Sequence, residues 1–221
     1  MQRMMKRLAT TSRVSGSLVL ILAAGCAPVQ STPSHPEAVG SLVPSVKDRD
    51  AGRVAAAYGF DVTRYQTIAI GKVSVDMPAS WSEEDRRIVS SVTAHLRSDL
   101  ARELRTAGRL ERVVDDASTL DTPVNALRLD VRITALELDQ LEPTAAGQWL
   151  GPGAIQMETR FVDAASGRVL LATADRRTAR AVMTQTRDIS ETTARLDEAA
   201  NYLVMDLVNF FGRLEKTAAR T

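Results

Sequence analysis

Cysteine is almost missing from this chain: there is one thiol, Cys26, in 221 residues. A lone cysteine excludes an internal disulfide. Histidine is nearly as scarce, with only His35 and His95, too few soft donors for a zinc site of three or four His, Cys and carboxylate ligands. Aromatic residues make up 4%, so the core must be aliphatic. An excess of one charge is missing too. The net charge is +1, too weak a field to draw the chain to nucleic acid. Nor is there an apolar run near the roughly 20 residues that cross a bilayer; the longest, Leu18–Ala24, stops after seven.

That short run follows Arg3, Lys6, Arg7 and Arg13 and ends in small residues. A basic stretch, a brief apolar segment and small residues make a secretory signal peptide. Ala23-Ala24-Gly25-Cys26 resembles a bacterial lipobox, although the large aliphatic Leu22 stands four rather than three places before the cysteine. The resemblance implies cleavage ahead of Cys26, diacylglycerol on its thiol and acylation of the new amine, so that residues 1–25 are a lipoprotein signal peptide and Cys26 the lipidation site. An ordinary signal peptidase reads the same small residues, Ala23 and Gly25, and would leave a free thiol. Ala27, where an Asp often retains lipoproteins in the inner membrane, points to the outer membrane with the domain facing the periplasm.

Residues 27–48 hold four prolines and no periodic pattern. Residues 26–57 therefore read as the lipidated cysteine and a flexible tether, with His35 solvated in it, and residues 58–216 as a single folded domain. Within that domain Tyr65, Ile68, Ile70, Val73 and Val75 mark a strand whose phase shifts at Gly71, as at a bulge. Ser80 or Ser82 caps a helix carrying the stripe Val89, Val92, Leu96, Leu100 and Leu104, ended by Gly108. Leu110–Val114 is a short strand. Over Ala126–Leu138, apolar Leu127, Leu129, Val131 and Ile133 alternate with charged or polar residues, and the phase flips near Ala135. Ile155–Phe161 and Val169–Ala174 form a hairpin about Asp163–Gly167, closed by Asp175-Arg176-Arg177. A last helix runs to about Leu214 with four-three spacing of Leu196, Ala200, Leu203, Leu207 and Phe210, the face of a helix buried within its own subunit. The order β-α-β-β-β-β-α predicts an α+β fold: a mixed or antiparallel sheet with two helices packed against it.

No catalytic, cofactor-binding or metal-binding constellation stands out. Gly151-Pro152-Gly153 lacks the Lys-Ser/Thr of a phosphate loop. Asp115-Asp116 reads as a solvated turn, and His95 as a half-buried structural residue on the flank of the first helix. Glu158 and Asp175 are the one carboxylate pair that adjacent strands can bring together, yet Glu158 falls on the solvated side of its strand. Trp149, in a loop over residues 139–153, either tucks into the fold or serves as a partner contact.

Tyr65-x-x-Ile68-x-Ile70-x-x-Val73, the capped helix, the Leu127–Ile133 strand and GAIQMETRFVDAASGRVLLATADRR together resemble the DUF3313 group of proteobacterial lipoproteins. Gly153, Glu158, Asp163, Gly167 and Asp175 stand at that group's pattern positions; the proline common after its first strand is replaced by Gly71-Lys72. The resemblance implies an address and a fold. The expected function is a non-catalytic, membrane-anchored lipoprotein of the bacterial envelope, an interaction or assembly module. Its partners would be the membrane, through the N-terminal lipid, and an envelope protein or its own copies, with no nucleic acid and no cofactor. The alternatives are a carboxylate-based periplasmic hydrolase and a lipid- or ligand-carrying transport accessory. If Cys26 carries lipid, Cys26→Ser abolishes metabolic labelling by palmitate and moves the protein from the membrane pellet to the soluble fraction; labelling that survives the substitution refutes the anchor.

Overall fold

The computed structural model describes residues 28–33, 41–108, 110–137, 142–143, 149–151, 154–179, 182–184 and 189–218. In chain order the elements are β1 (Val29–Ser31), β2 (Val46–Asp48), β3 (Gly52–Ala56), β4 (Thr67–Val75), α1 (Glu83–Thr106), β5 (Arg112–Val114), β6 (Ala126–Glu137), β7 (Glu142–Pro143), β8 (Trp149–Gly151), β9 (Ala154–Asp163), β10 (Val169–Thr178), β11 (Val182–Thr184) and α2 (Ile189–Ala218). The main sheet runs β2-β3-β10-β9-β6-β4-β5, and β1 also pairs with β10. β4 is parallel to β5 and β6, whereas β6, β9 and β10 are successively antiparallel. The sheet is therefore mixed, and the α+β expectation holds.

The helices form because their sequences satisfy both ends and one face. The Ser82 side chain accepts a hydrogen bond from the Asp85 amide, and the Asp85 carboxylate accepts one from the Ser82 amide, a complete capping box. Glu83, Glu84 and Asp85 place negative charge at the positive end of the helix dipole. Past the helix, Gly108 takes φ +62°, the left-handed conformation that favours glycine. Val92, Leu96 and Leu100 of α1 and Leu203, Val204 and Phe211 of α2 are buried with Ile68, Ile70, Leu129, Ile133 and Phe161 of the sheet in one aliphatic core. Two of the few aromatics pack together in it: Phe161 stacks on Phe211 with ring centroids 5.4 Å apart. The four-three face of α2 is thus spent inside the subunit.

Both predicted phase shifts are register breaks. The β4–β6 ladder slips between Ile70 and Val73, and the β6–β9 ladder slips between Ile133 and Ala135. At the first, a Cβ on Gly71 would lie 2.0 Å from Asp130 Oδ1, and that oxygen accepts from the Lys72 amide.

The N-terminal region departs from the expectation of a tether over 26–57. β1 pairs with Arg176–Thr178, β2 pairs with β3, and Gly52 lies beside Ala174 of β10. Strands of three to five residues in a proline-containing stretch carry no detectable period, so composition alone reads them as linker. The 139–153 loop likewise contains β7 and β8, which with β11 form a separate three-stranded sheet. Finally, β10 extends through Asp175-Arg176-Arg177 to Thr178 instead of ending before them. Gly52 is the tightest point of the N-terminal attachment. It has φ +67°, and a Cβ there would meet the Ala174 carbonyl oxygen at 2.4 Å and the Asp175 Cα at 2.8 Å, both backbone atoms that cannot swing aside. Gly52→Ala is expected to cost about 3 kcal/mol and to open residues 29–56 to limited proteolysis ahead of the rest; unchanged urea midpoint and protease resistance would contradict this.

Candidate functional site

The hydrolase alternative rests on the hairpin's two carboxylates. β9 and β10 pair with Ala174 opposite Glu158 and Asp175 opposite Met157. Successive side chains alternate faces, so Asp175 shares the helix-covered face with Met157, and Glu158 points to the other side. The two acids do not converge. Glu158 is nevertheless 2% exposed, which corrects its expected place in solvent. Alternation identifies the face but not what covers it. Here that face carries paired side chains: Arg128 with Asp130, Arg132 with Asp76, Arg176 with Glu137, and Gln156 donating to Thr134. Beside them is a small apolar cluster of Leu42 and Ala172.

On the helix face Asp175 belongs to a buried ionic network. Arg177, half-way between sheet and helix, lies 3.1 Å from Asp175 and 2.5 Å from Asp206 of α2. Gln30 of β1 donates to Asp175 at 2.9 Å. Two turns further along α2, Arg213 holds Asp48 at 2.7 Å and also pairs with Asp50. A buried guanidinium is tolerated because carboxylates flank it. The result is a clasp that ties β1 and the β2–β3 turn to β10 and α2. Burial drives the Asp175 carboxyl up to about 6, against the lowering effect of Arg177 and the bonds from Gln30 and the Arg176 amide. Burial raises Asp206 as well. Of the clasp residues the sequence singles out Asp175, as a pattern position and as half of the carboxylate pair, and Arg177 only as part of the hairpin's close; Asp48 and Arg213 are 165 residues apart, and no local signal couples them.

The other feature is a groove. β5 pairs with β4 only over Thr67–Ala69, while β6 accompanies β4 as far as Val75. Beyond Ala69 the far edge of β4 has no neighbouring strand among the described residues. Between this edge and α1 lies an open groove of about 550 Å³, lined by Lys72–Val75 and Met77 on the strand side and by Arg86, Val89, Ser90, Thr93, Ala94 and Arg97 on the helix side. Its walls hold apolar surface and three cations, with no carboxylate. Lys72 and Arg97 also border a second hollow with Asp116 and Ser118.

The remaining sequence candidates separate cleanly. His95 is 56% exposed rather than half-buried and bonds Asp197 at 2.8 Å, linking α1 to α2. Asp115 pairs with Arg105, and Asp116 caps a short turn by accepting from the Ser118 amide. Trp149 lies in β8 with its backbone opposite Thr184 and Pro143; its side chain is outside the described part, as are Cys26, His35, Pro152 and Gly153. Among the described residues no group of three His, Cys, Asp or Glu is placed to hold a metal, and no helix is long and apolar enough to cross a membrane.

A mixed sheet with two helices on one face, clasped to its own N-terminal strands, defines an α+β domain with one open edge groove. Residues 38–204 match the family described as protein of unknown function (DUF3313), and the chain belongs to that family. No curated protein matches it. Among solved structures, the PelC dodecamer from Paraburkholderia phytofirmans aligns at 13% identity over 68% of this chain and 94% of that one, with a TM-score of 0.37. A Xanthomonas campestris protein of family DUF330 aligns at 15% identity over 80% and 97%, with a TM-score of 0.43. The family-pattern residues now have structural work. Asp163 accepts from the Ser166 hydroxyl and amide and from the Tyr65 hydroxyl at 2.9 Å, bonds that hold its carboxyl below the usual range. Gly167 supplies φ +71° in the same turn, and Asp175 anchors the clasp.

The raised Asp175 pKa gives a signed pH dependence. A folded-state value above the unfolded 3.8 means that the native protein binds the extra proton between pH 4 and about 6. Stability therefore falls as pH rises through that window and levels off above it. Asp175→Asn is expected to flatten this decline, which amounts to about 2 kcal/mol, in urea titrations at pH 4.5 and 7. Parallel curves for variant and parent would contradict it.

Proposed function

We propose that this protein is a non-catalytic envelope lipoprotein whose folded domain is an interaction module. The groove along the unpaired edge of β4 carries that reading, because it offers partner-sized concave surface with apolar walls and exposed backbone polar groups. Cys26 supplies the lipid anchor in this proposal and sets the address at the outer membrane, facing the periplasm. The separation of Glu158 and Asp175 onto opposite faces removes the carboxylate pair on which the hydrolase alternative rested. In its place stands a domain whose family-pattern acids support a turn and an ionic clasp. A photo-crosslinking amino acid placed at Ser90, in the groove, is expected to trap a discrete higher-mass adduct in intact cells. The same substitution at the fully exposed Tyr58 is expected to trap none. Equal patterns at both positions, or no adduct at Ser90, would overturn the interaction reading.

A further inference from the structure

The groove's chemistry narrows its occupant. The Asp76 amide donates to the Ile133 carbonyl of β6 at 2.9 Å, so residue 76 directs its backbone bonds toward β6. By the two-residue alternation of a parallel ladder, Ser74 does the same, and Val73 and Val75 direct their N–H and C=O groups to the open side. An edge presenting such groups is a template for another strand. The burial pattern agrees: β4 is buried through Gly71, then exposed at Lys72 and only half-buried over Val73–Val75.

The charged side chains that line the groove itself, Lys72, Arg86 and Arg97, are all cationic. Lys72 makes no ion pair among the described residues. Arg86 is paired with Glu83, and Arg97 with Asp116 and the Asp115 carbonyl. We propose that the β4 edge takes up an extended, acidic segment of a partner protein by strand addition, its backbone bonding Val73 and Val75, its apolar side chains lying against Val89 and Ala94, and its carboxylates meeting Lys72 and Arg97. A run of five or six residues matches the length of the open edge, about 17–20 Å at 3.3 Å per residue. The proposal rests on the interaction reading above and specifies its chemistry.

The test uses the full chain in detergent and a fluorescein-labelled peptide of six residues alternating valine and glutamate, read by fluorescence anisotropy. The acidic peptide is expected to bind. Its valine–lysine counterpart is expected to bind at least tenfold more weakly, and so is an acidic peptide N-methylated at alternate amides, which cannot complete the ladder. Lys72→Glu, at an exposed position, should weaken the acidic peptide at least tenfold and favour the basic one; Ser90→Trp should block both. Added salt should weaken binding. Failure of the acidic peptide to bind, equal binding of acidic and basic peptides, or indifference to N-methylation would overturn the proposal. If any of these occurs while Ser90 still crosslinks in cells, strand addition falls and the interaction reading stands. Loss of the crosslink removes the reading beneath it.

Discussion

The two-residue period of a pleated strand is the constraint on which most of this structure depends. Along β9 it sends Ile155, Met157 and Phe161 to the helices and Gln156 and Glu158 to the opposite face. Along β10 it does the same with Leu171 on one side and Ala172 on the other. The antiparallel pairing of these strands transmits the choice to every neighbour. The two one-residue slips, after Ile70 and after Ile133, reset the phase without breaking the sheet. At the first of them the outward direction of the β4 backbone changes, which sets which groups line the groove.

Charge placement follows from the same alternation. Arg176 and Arg177 are neighbours in sequence but lie on opposite faces. Arg176 meets Glu137 above the sheet, and Arg177 meets Asp175 and Asp206 beneath α2. A buried arginine between two carboxylates contributes less to raw stability than to uniqueness of arrangement, because removing any one partner leaves a charge stranded. Here the arrangement it specifies is the return of the N-terminal strands. Gly52 allows the chain to approach β10 closely enough for Asp48 and Asp50 to reach Arg213.

Elements with a strong internal period were legible in the sequence: α1 and its serine cap, the alternating β6, the β9–β10 hairpin with its Asp163–Gly167 turn, and the buried stripe of α2. β1 to β3 were not, since strands of three to five residues contain too few alternations to stand out from a proline-containing segment. The burial of Glu158 was not legible either, because periodicity assigns a face without revealing whether anything lies over it. The groove depends on where β5 stops relative to β4, a question of register between segments more than 35 residues apart. That Asp115 and Asp116 cap and pair, by contrast, could be read from a local pattern of turn residues.

The return of the N-terminus to the sheet bears on how such a domain would sit at a bilayer. With the anchor proposed at Cys26, only three residue steps separate the acyl chains from Val29, which is already fixed beside Thr178. Three extended steps span about 10 Å. The body would then be moored at the β10 side of the sheet, with little freedom to roam, and the β4 rim would face away from its own mooring point toward whatever lies alongside in the plane of the membrane.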